Sequence, residues 1–384
     1  MDRSQIYPGI MIMLSAVAAL AMCNLGFNDL YQHIWAQSIQ ISLGQLSVTK
    51  QLLPLVNEGL MALFFLAVTI EIRHEFTYGA LSDRVYRVMP FIAAVGGMVA
   101  PAMIYLFFNY GSEYSVGWAI PTATDIAFSL ACLMLVGSRF PIHLRTFLLS
   151  LAVIDDLGAI LIIAVYYSDH LSVMMLVGGG LVVASMALLR FMKITSTVTY
   201  MVFGFALWLF MLKSGVHATL TGCVVAMLLP MQNDQGKRAM AFHDALLPWV
   251  QYVILPLFAL ANTGVIISSG VNVFHPMFLG IFCGLVLGKP LGVVFCTFVA
   301  EKLKVAKLPQ GLDHHHILGI GFLCGIGFTM SLFVGMLAFD EELLPLLDIV
   351  KSGVLSASLA SGILGMLFLK YFCKGEDDER ELVN

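Results

Sequence analysis

Two adjacent carboxylates, Asp155 and Asp156, lie in Ile154-Asp155-Asp156-Leu157-Gly158, with largely apolar sequence over 147–153 before them and 159–165 after. The stretch is long enough to cross a bilayer, which takes about 20 residues. An acid at the centre of such a helix costs roughly 2.5–3.5 kcal/mol on insertion scales, so a pair there implies chemistry rather than packing. Neighbouring acids titrate as a coupled pair. Charged, they can replace the hydration shell of a hard cation with oxygen ligands; protonated, they cannot. That makes a site where a metal ion and protons compete.

Three other stretches could serve that pair. In Gly117-Trp118-Ala119-Ile120-Pro121-Thr122-Ala123-Thr124-Asp125-Ile126 a proline precedes poor helix formers, which predicts a break beside Asp125 and Thr124. In Gly319-Ile320-Gly321-Phe322-Leu323-Cys324-Gly325-Ile326-Gly327-Phe328-Thr329-Met330-Ser331, four glycines predict unwinding or very close helix packing. In Gly284-Leu285-Val286-Leu287-Gly288-Lys289-Pro290-Leu291-Gly292, Lys289 is too deep to reach the interface and needs an anion. Asp125, Asp155 and Asp156 are the deep acids available to it.

The elements that must carry these residues follow from composition. Of 384 residues 59% are hydrophobic and 11% charged, and mean hydropathy is +0.91. Soluble domains carry about 25% charged residues, so the chain is an integral membrane protein. Its long continuous apolar runs exclude a β-barrel, whose strands alternate. The net charge of −4 identifies no partner, and nothing points to nucleic acid or to a cofactor. Seven scattered cysteines without CxxC spacing read as small buried hydrophobes.

Apolar runs predict twelve transmembrane helices, starting near Tyr7, Leu52, Met89, Val116, His143, Val173, Val198, Gly215, Ala241, Pro276, Leu318 and Val350. With the N-terminus inside, only Lys50, Lys213 and Lys351 of the 20 Lys and Arg fall on the outer side, and Lys289 stays within the membrane. The positive-inside rule therefore places both termini in the cytoplasm. Residues 1–375 read as a single membrane transport domain. Within it, 38–50 alternate as a periplasmic β-hairpin around Gly44, suited either to pairing at a dimer edge or to resting on its own domain. The polar tail 376–384 reads as disordered.

A broken span followed by the Asp-Asp span stands in the first half. The Lys289 span followed by a glycine-broken span stands in the second. Interruptions at corresponding places in two halves indicate an inverted-repeat transporter with its site at the midplane. Facing half-helix N-termini want an acid and facing C-termini want a base. Asp125 and Lys289 supply them.

With these residues in view, the chain closely resembles the NhaA family of bacterial Na+/H+ antiporters, itself a type case of inverted-repeat architecture. The resemblance runs over nearly the whole chain and is densest at 117–128, 152–160, 212–222, 256–264, 287–292 and 324–331. It implies an all-α polytopic fold in the inner membrane, with the fourth and eleventh helices unwound and crossing. Asp155 and Asp156 would exchange Na+ or Li+ for protons. Asp125 and Thr124 would lie at the fourth-helix break, and Lys289 would pair with Asp155 when no ion is bound. The resemblance further implies exchange of cytoplasmic Na+ for a larger number of external protons, and a homodimer joined through the outer hairpin. Its pH-sensing cluster maps onto Glu71, His74 and Glu75, with His243 and Asp244 where better-known members carry Glu then His. Glu58 stands where those members have Asp. His217 reads either as a pH-modulating residue or as a hydrogen-bonded intramembrane His amid small packing residues. His314-His315-His316 suggests metal binding on composition alone. Two rival readings stay open on the sequence. A Na+-coupled organic-anion symporter would share the crossed helices; an intramembrane aspartic protease would use Asp125 and Asp155 as a dyad.

Overall fold

The computed structural model describes residues 6–43, 46–79, 82, 84–137, 142–167, 171–231, 234–266, 272–309, 311–339 and 344–373. The Gly44-Gln45 hairpin turn and the tail from Lys374 lie outside them. The helices are α1 (Ile6–Asn24), α2 (Asn28–Ala36), α3 (Leu52–Thr77), α4 (Arg84–Asn109), α5 (Ile126–Val136), α6 (Ile142–Tyr166), α7 (Val173–Phe191) and α8 (Thr197–Met211). They continue as α9 (Leu220–Leu228), α10 (Asp234–Trp249), α11 (Leu255–Asn262), α12 (Pro276–Cys283), α13 (Lys289–Lys302), α14 (His314–Cys324), α15 (Phe328–Ala338) and α16 (Leu344–Phe372). A 3₁₀ helix, Glu113–Thr122, precedes α5, and π-helical turns at Val250–Ile254 and Gly284–Gly288 join α10 to α11 and α12 to α13.

Among the described residues eight helical spans are long and apolar enough to cross a membrane, and two bent pairs raise that to ten. The other two expected spans correspond to α8, of 15 residues, and α9, of 9. The latter starts later than Gly215 because Gly215, at φ 84°, sits in an irregular stretch that only then enters the helix. Conversely α14 and α16 begin before Leu318 and Val350: the first turn of α14 is made of His314, His315 and His316, and Asp348 interrupts the apolar start of α16.

The outer loop holds the expected hairpin, β1 (Ser38–Leu43) against β2 (Leu46–Gln51), antiparallel with Ile39 opposite Lys50. It also holds α2, which no apolar run predicts. That short helix is anchored by Tyr31, whose one hydroxyl proton lies between the Leu260 carbonyl at 2.9 Å and the Ala261 carbonyl at 2.7 Å. Lys50 clasps Glu58 on α3 at 2.6 Å, tying the hairpin to the bundle.

Small residues allow a very close contact between α4 and α13. On α13, a methyl at Gly292 would fall against the Gly96 carbonyl of α4 and 2.7 Å from the Ala100 Cβ, so both backbones are held in near contact. Overpacking costs about 1–3 kcal/mol. Gly292→Ala is therefore expected to lower the unfolding temperature in detergent. Gly180→Ala on α7, where nothing stands within 4 Å, should leave it unchanged.

The His314–His316 run divides its rings among different partners rather than converging them. His314 pairs with Glu301 of α13 at 3.4 Å, and His315 stacks on Phe368 of α16. His316 closes a capping box with Asp313 at the start of α14. Burial alone would raise the Asp313 carboxyl. The His316 amide and ring outweigh it and hold the group below its ordinary range. A depressed carboxyl stabilises the fold above its unfolded pKa, about 4, and loses that contribution as pH falls through the folded value. Asp313→Ala should cost about 1 kcal/mol at neutral pH and progressively less in acid, read by thermal melts across pH.

Candidate ion-binding site

The two broken spans bend by 44° between Glu113–Thr122 and α5, and by 50° between α14 and α15. Their breaks meet. The Asp125 amide donates to the Ile326 carbonyl at 2.7 Å. Around that contact the halves exchange hydroxyl bonds almost symmetrically. Ser129 on α5 donates to the Leu323 carbonyl ending α14, at 2.8 Å. Ser331 on α15 donates to the Ile120 carbonyl ending the 3₁₀ helix, at 2.7 Å. Each unwound end thus finds its missing partners on the other helix, as backbone in hydrocarbon must.

Charge follows the same geometry. One oxygen of Asp125 accepts from the Phe128 amide of α5 at 3.0 Å. The other accepts from the Thr329 amide at 3.2 Å and hydroxyl at 2.5 Å, on α15. A single carboxylate therefore sits at two positive helix N-termini. Lys289 lies across the negative ends, donating to Thr124 Oγ1 at 2.8 Å and to Asp155 Oδ2 at 2.5 Å. The one Thr124 proton lies between Asp155 Oδ2 at 2.8 Å and the Cys324 carbonyl at 2.9 Å. All of Thr124, Asp155, Asp156 and Lys289 are fully buried.

Asp156 differs from its neighbours. Neither of its carboxylate oxygens has a hydrogen-bond partner among the described residues, and Asp155 Oδ1 lacks one too. Three orphaned carboxyl oxygens in a buried place could hold a hard cation, with Thr124 and the break carbonyls as further candidate oxygen ligands. Among the described residues no three His, Cys, Asp or Glu side chains gather as a metal-binding cluster.

A cavity of about 210 Å³ is lined by Glu71, Arg145 and Gln251 together with Asp125 and Thr329; neither Asp155 nor Asp156 lines it. It connects the end of α3 to the crossing. Glu71 also stands 4.0 Å from His243 on α10, which is buried and 3.1 Å from Asp244. His74 and Glu75 occupy the same last turns of α3, with the His74 ring 5.8 Å from that of Tyr78. His217 stands apart from that group, in the irregular stretch before α9, its carbonyl accepting from Leu220.

A sequence model of the family described as Na+/H+ antiporter 1 matches residues 1–369. The chain belongs to the Na+/H+ antiporter 1 family. It is 44% identical to the Na(+)/H(+) antiporter NhaA of Shewanella loihica over 94% of this chain and 93% of that one. It is 42% identical to the namesake of Citrobacter koseri, over 94% and 95%, and 43% identical to that of Proteus mirabilis, over 94% and 93%. The chain is accordingly a multi-pass membrane antiporter and a transporter rather than an enzyme. The protease alternative also fails on geometry. Asp125 and Asp155 hydrogen-bond different partners, Thr329 and Lys289.

Sequence reasoning leaves four site residues without a role: Ser129, Thr329, Ser331 and Ser358. Each hydroxyl bonds a backbone or side-chain group at a break. For the first three the available signal is a hydroxyl within a turn after the interruption; for Ser358, on α16, only the packing reveals it.

Proposed function

We propose that the antiporter exchanges cytoplasmic Na+, or Li+, for external protons at Asp155 and Asp156, moving more protons than cations per cycle and so responding to membrane potential. The observation that carries this reading is the pair of unpartnered Asp156 oxygens beside a Lys289–Asp155 ion pair. Cation entry would displace Lys289 from Asp155 and engage both acids with Thr124; protonation would release the cation. Asp125 and Lys289 balance the charges of the crossed half-helices throughout. Glu71, His74, Glu75, His243, Asp244 and His217 tune the exchange to pH, the first and fourth from positions next to the cavity.

Residues 1–375 act as one membrane transport domain in the lipid of the bacterial inner membrane, with both termini in the cytoplasm. A homodimer forms through the hairpin, which among the described residues has two strands and so offers outer edges for pairing. An organic-anion symporter is disfavoured by the small size of the cavity at the crossing. The test is proteoliposomes of the pure protein with an internal pH dye. Na+ or Li+ added outside should drive proton movement and K+ should not; a response indifferent to added Na+ would end the proposal.

A further inference from the structure

Both π-helical turns end at an Xaa-Pro pair, and the chemistry of that ending is specific. In the first, the Leu255 amide bonds the Val250 carbonyl, and the next donor in π register is Pro256, which has no N–H. In the second, the Lys289 amide bonds the Gly284 carbonyl, and the next donor is Pro290. Each turn therefore leaves one carbonyl, Gln251 or Leu285, without a donor in that register of its own helix. Gln251 lines the cavity. Leu285 is fully buried.

The Leu285 carbonyl faces Gly325, at the second break. A Cβ at Gly325 would fall against that carbonyl oxygen and 2.6 Å from the Ser361 hydroxyl of α16. Ser361 is itself fully buried, and its hydroxyl has no hydrogen-bond partner among the described residues. A buried donor and a buried acceptor thus both crowd one niche, the position that glycine leaves without a side chain, and they are close enough for one molecule to bond both. The same face of α16 already serves the break one turn earlier, where Ser358 accepts from the Phe328 amide at 3.0 Å.

We propose that this niche binds one water bridging Ser361 to the Leu285 carbonyl, and that Ser361 is thereby a positioning residue for Lys289. Leu285 is the residue whose carbonyl the Lys289 amide would take in an ordinary α-helix. A switch to that pairing removes the extra residue of the π-turn and rotates the downstream part of the helix by about 100°. The Lys289 ammonium would then leave Asp155 and Thr124. A hydrogen bond from the Ser361 side leaves the Leu285 carbonyl satisfied without the Lys289 amide, which favours that amide on Gly284 and the ammonium at the site. Lys289 is faced by Asp155 and Asp156 from α6 and by the Cys324 thiol from α14, while α4 brings Gly97 beside its stem.

The inference rests on the reading that Lys289 balances Asp155 during exchange. Ser361→Ala in proteoliposomes is expected to raise the apparent KM for Na+ several-fold, on the order of 3- to 10-fold for one lost hydrogen bond. It should also shift the pH profile of exchange, with the maximal rate little changed. Ser361→Thr should restore both. Gly325→Ala, which fills the niche but keeps the hydroxyl, should copy the alanine variant. A Ser361→Ala protein with unaltered KM and pH profile overturns the proposal. So does a threonine variant no better than alanine, or a loss confined to the amount of folded protein. Asp156→Asn run alongside separates the cases. If it still exchanges Na+ for protons, the site reading fails; if it is inactive while Ser361→Ala behaves as wild type, only this inference does.

Discussion

Asp156→Asn is expected to reduce Na+-dependent proton flux in everted vesicles to the level of vesicles lacking the protein. The substitution keeps shape and volume but removes both the negative charge that would hold a cation and the proton that would exchange for it. Asp156 is singled out because its two buried oxygens have no partner among the described residues. A structural carboxylate would spend them on amides, as Asp125 does. The fold should survive, since no side-chain hydrogen bond among the described residues is lost, and a normal melting temperature would show that the site and not the scaffold was removed. Retained flux would refute the assignment.

Lys289→Met is expected to have the largest effect on stability. It strips the counter-charge from Asp155 in a place with no solvent, and breaking one side of a buried ion pair costs about 3–5 kcal/mol. The double variant Lys289→Met/Asp155→Asn should recover much of that loss, because no uncompensated charge remains, while still failing to transport. Thermal unfolding of the wild type, both single variants and the double variant in one detergent gives the coupling. Additive losses would mean that the 2.5 Å contact contributes nothing to the fold.

The carboxylates, the lone lysine and both breaks were legible because each violates the composition of its surroundings. A charge in hydrocarbon, or Thr-Ala-Thr-Asp within a span, has few bland explanations. Proline alone was a poorer guide: Pro90 and Pro101 lie inside α4, which continues through both, whereas Pro121 ends up beside a true break. The difference lies in what stands nearby, since only the second break offers the fourth span a set of exchanged bonds. Elements that depend on such partners were not legible. The 3₁₀ form of Glu113–Thr122 has no local signature in one chain, the prolines that follow both π-turns have counterparts inside the continuous α4, and α2 is too short to show a period. The contacts of Glu71 with His243 and of Ser358 with Phe328 join residues far apart in sequence, which no spacing rule reaches.

The two interruptions that bond one another are separated by 200 residues, as the Thr124–Cys324 bond records. A ribosome adding about 5–20 residues per second takes on the order of 10–40 s to bridge that interval. Throughout it, the bare amides and carbonyls of the earlier interruption must wait without the strand of chain that satisfies them. The nascent first half is therefore an incomplete object, one that the insertion machinery or a lateral water-filled space must shelter until its counterpart emerges.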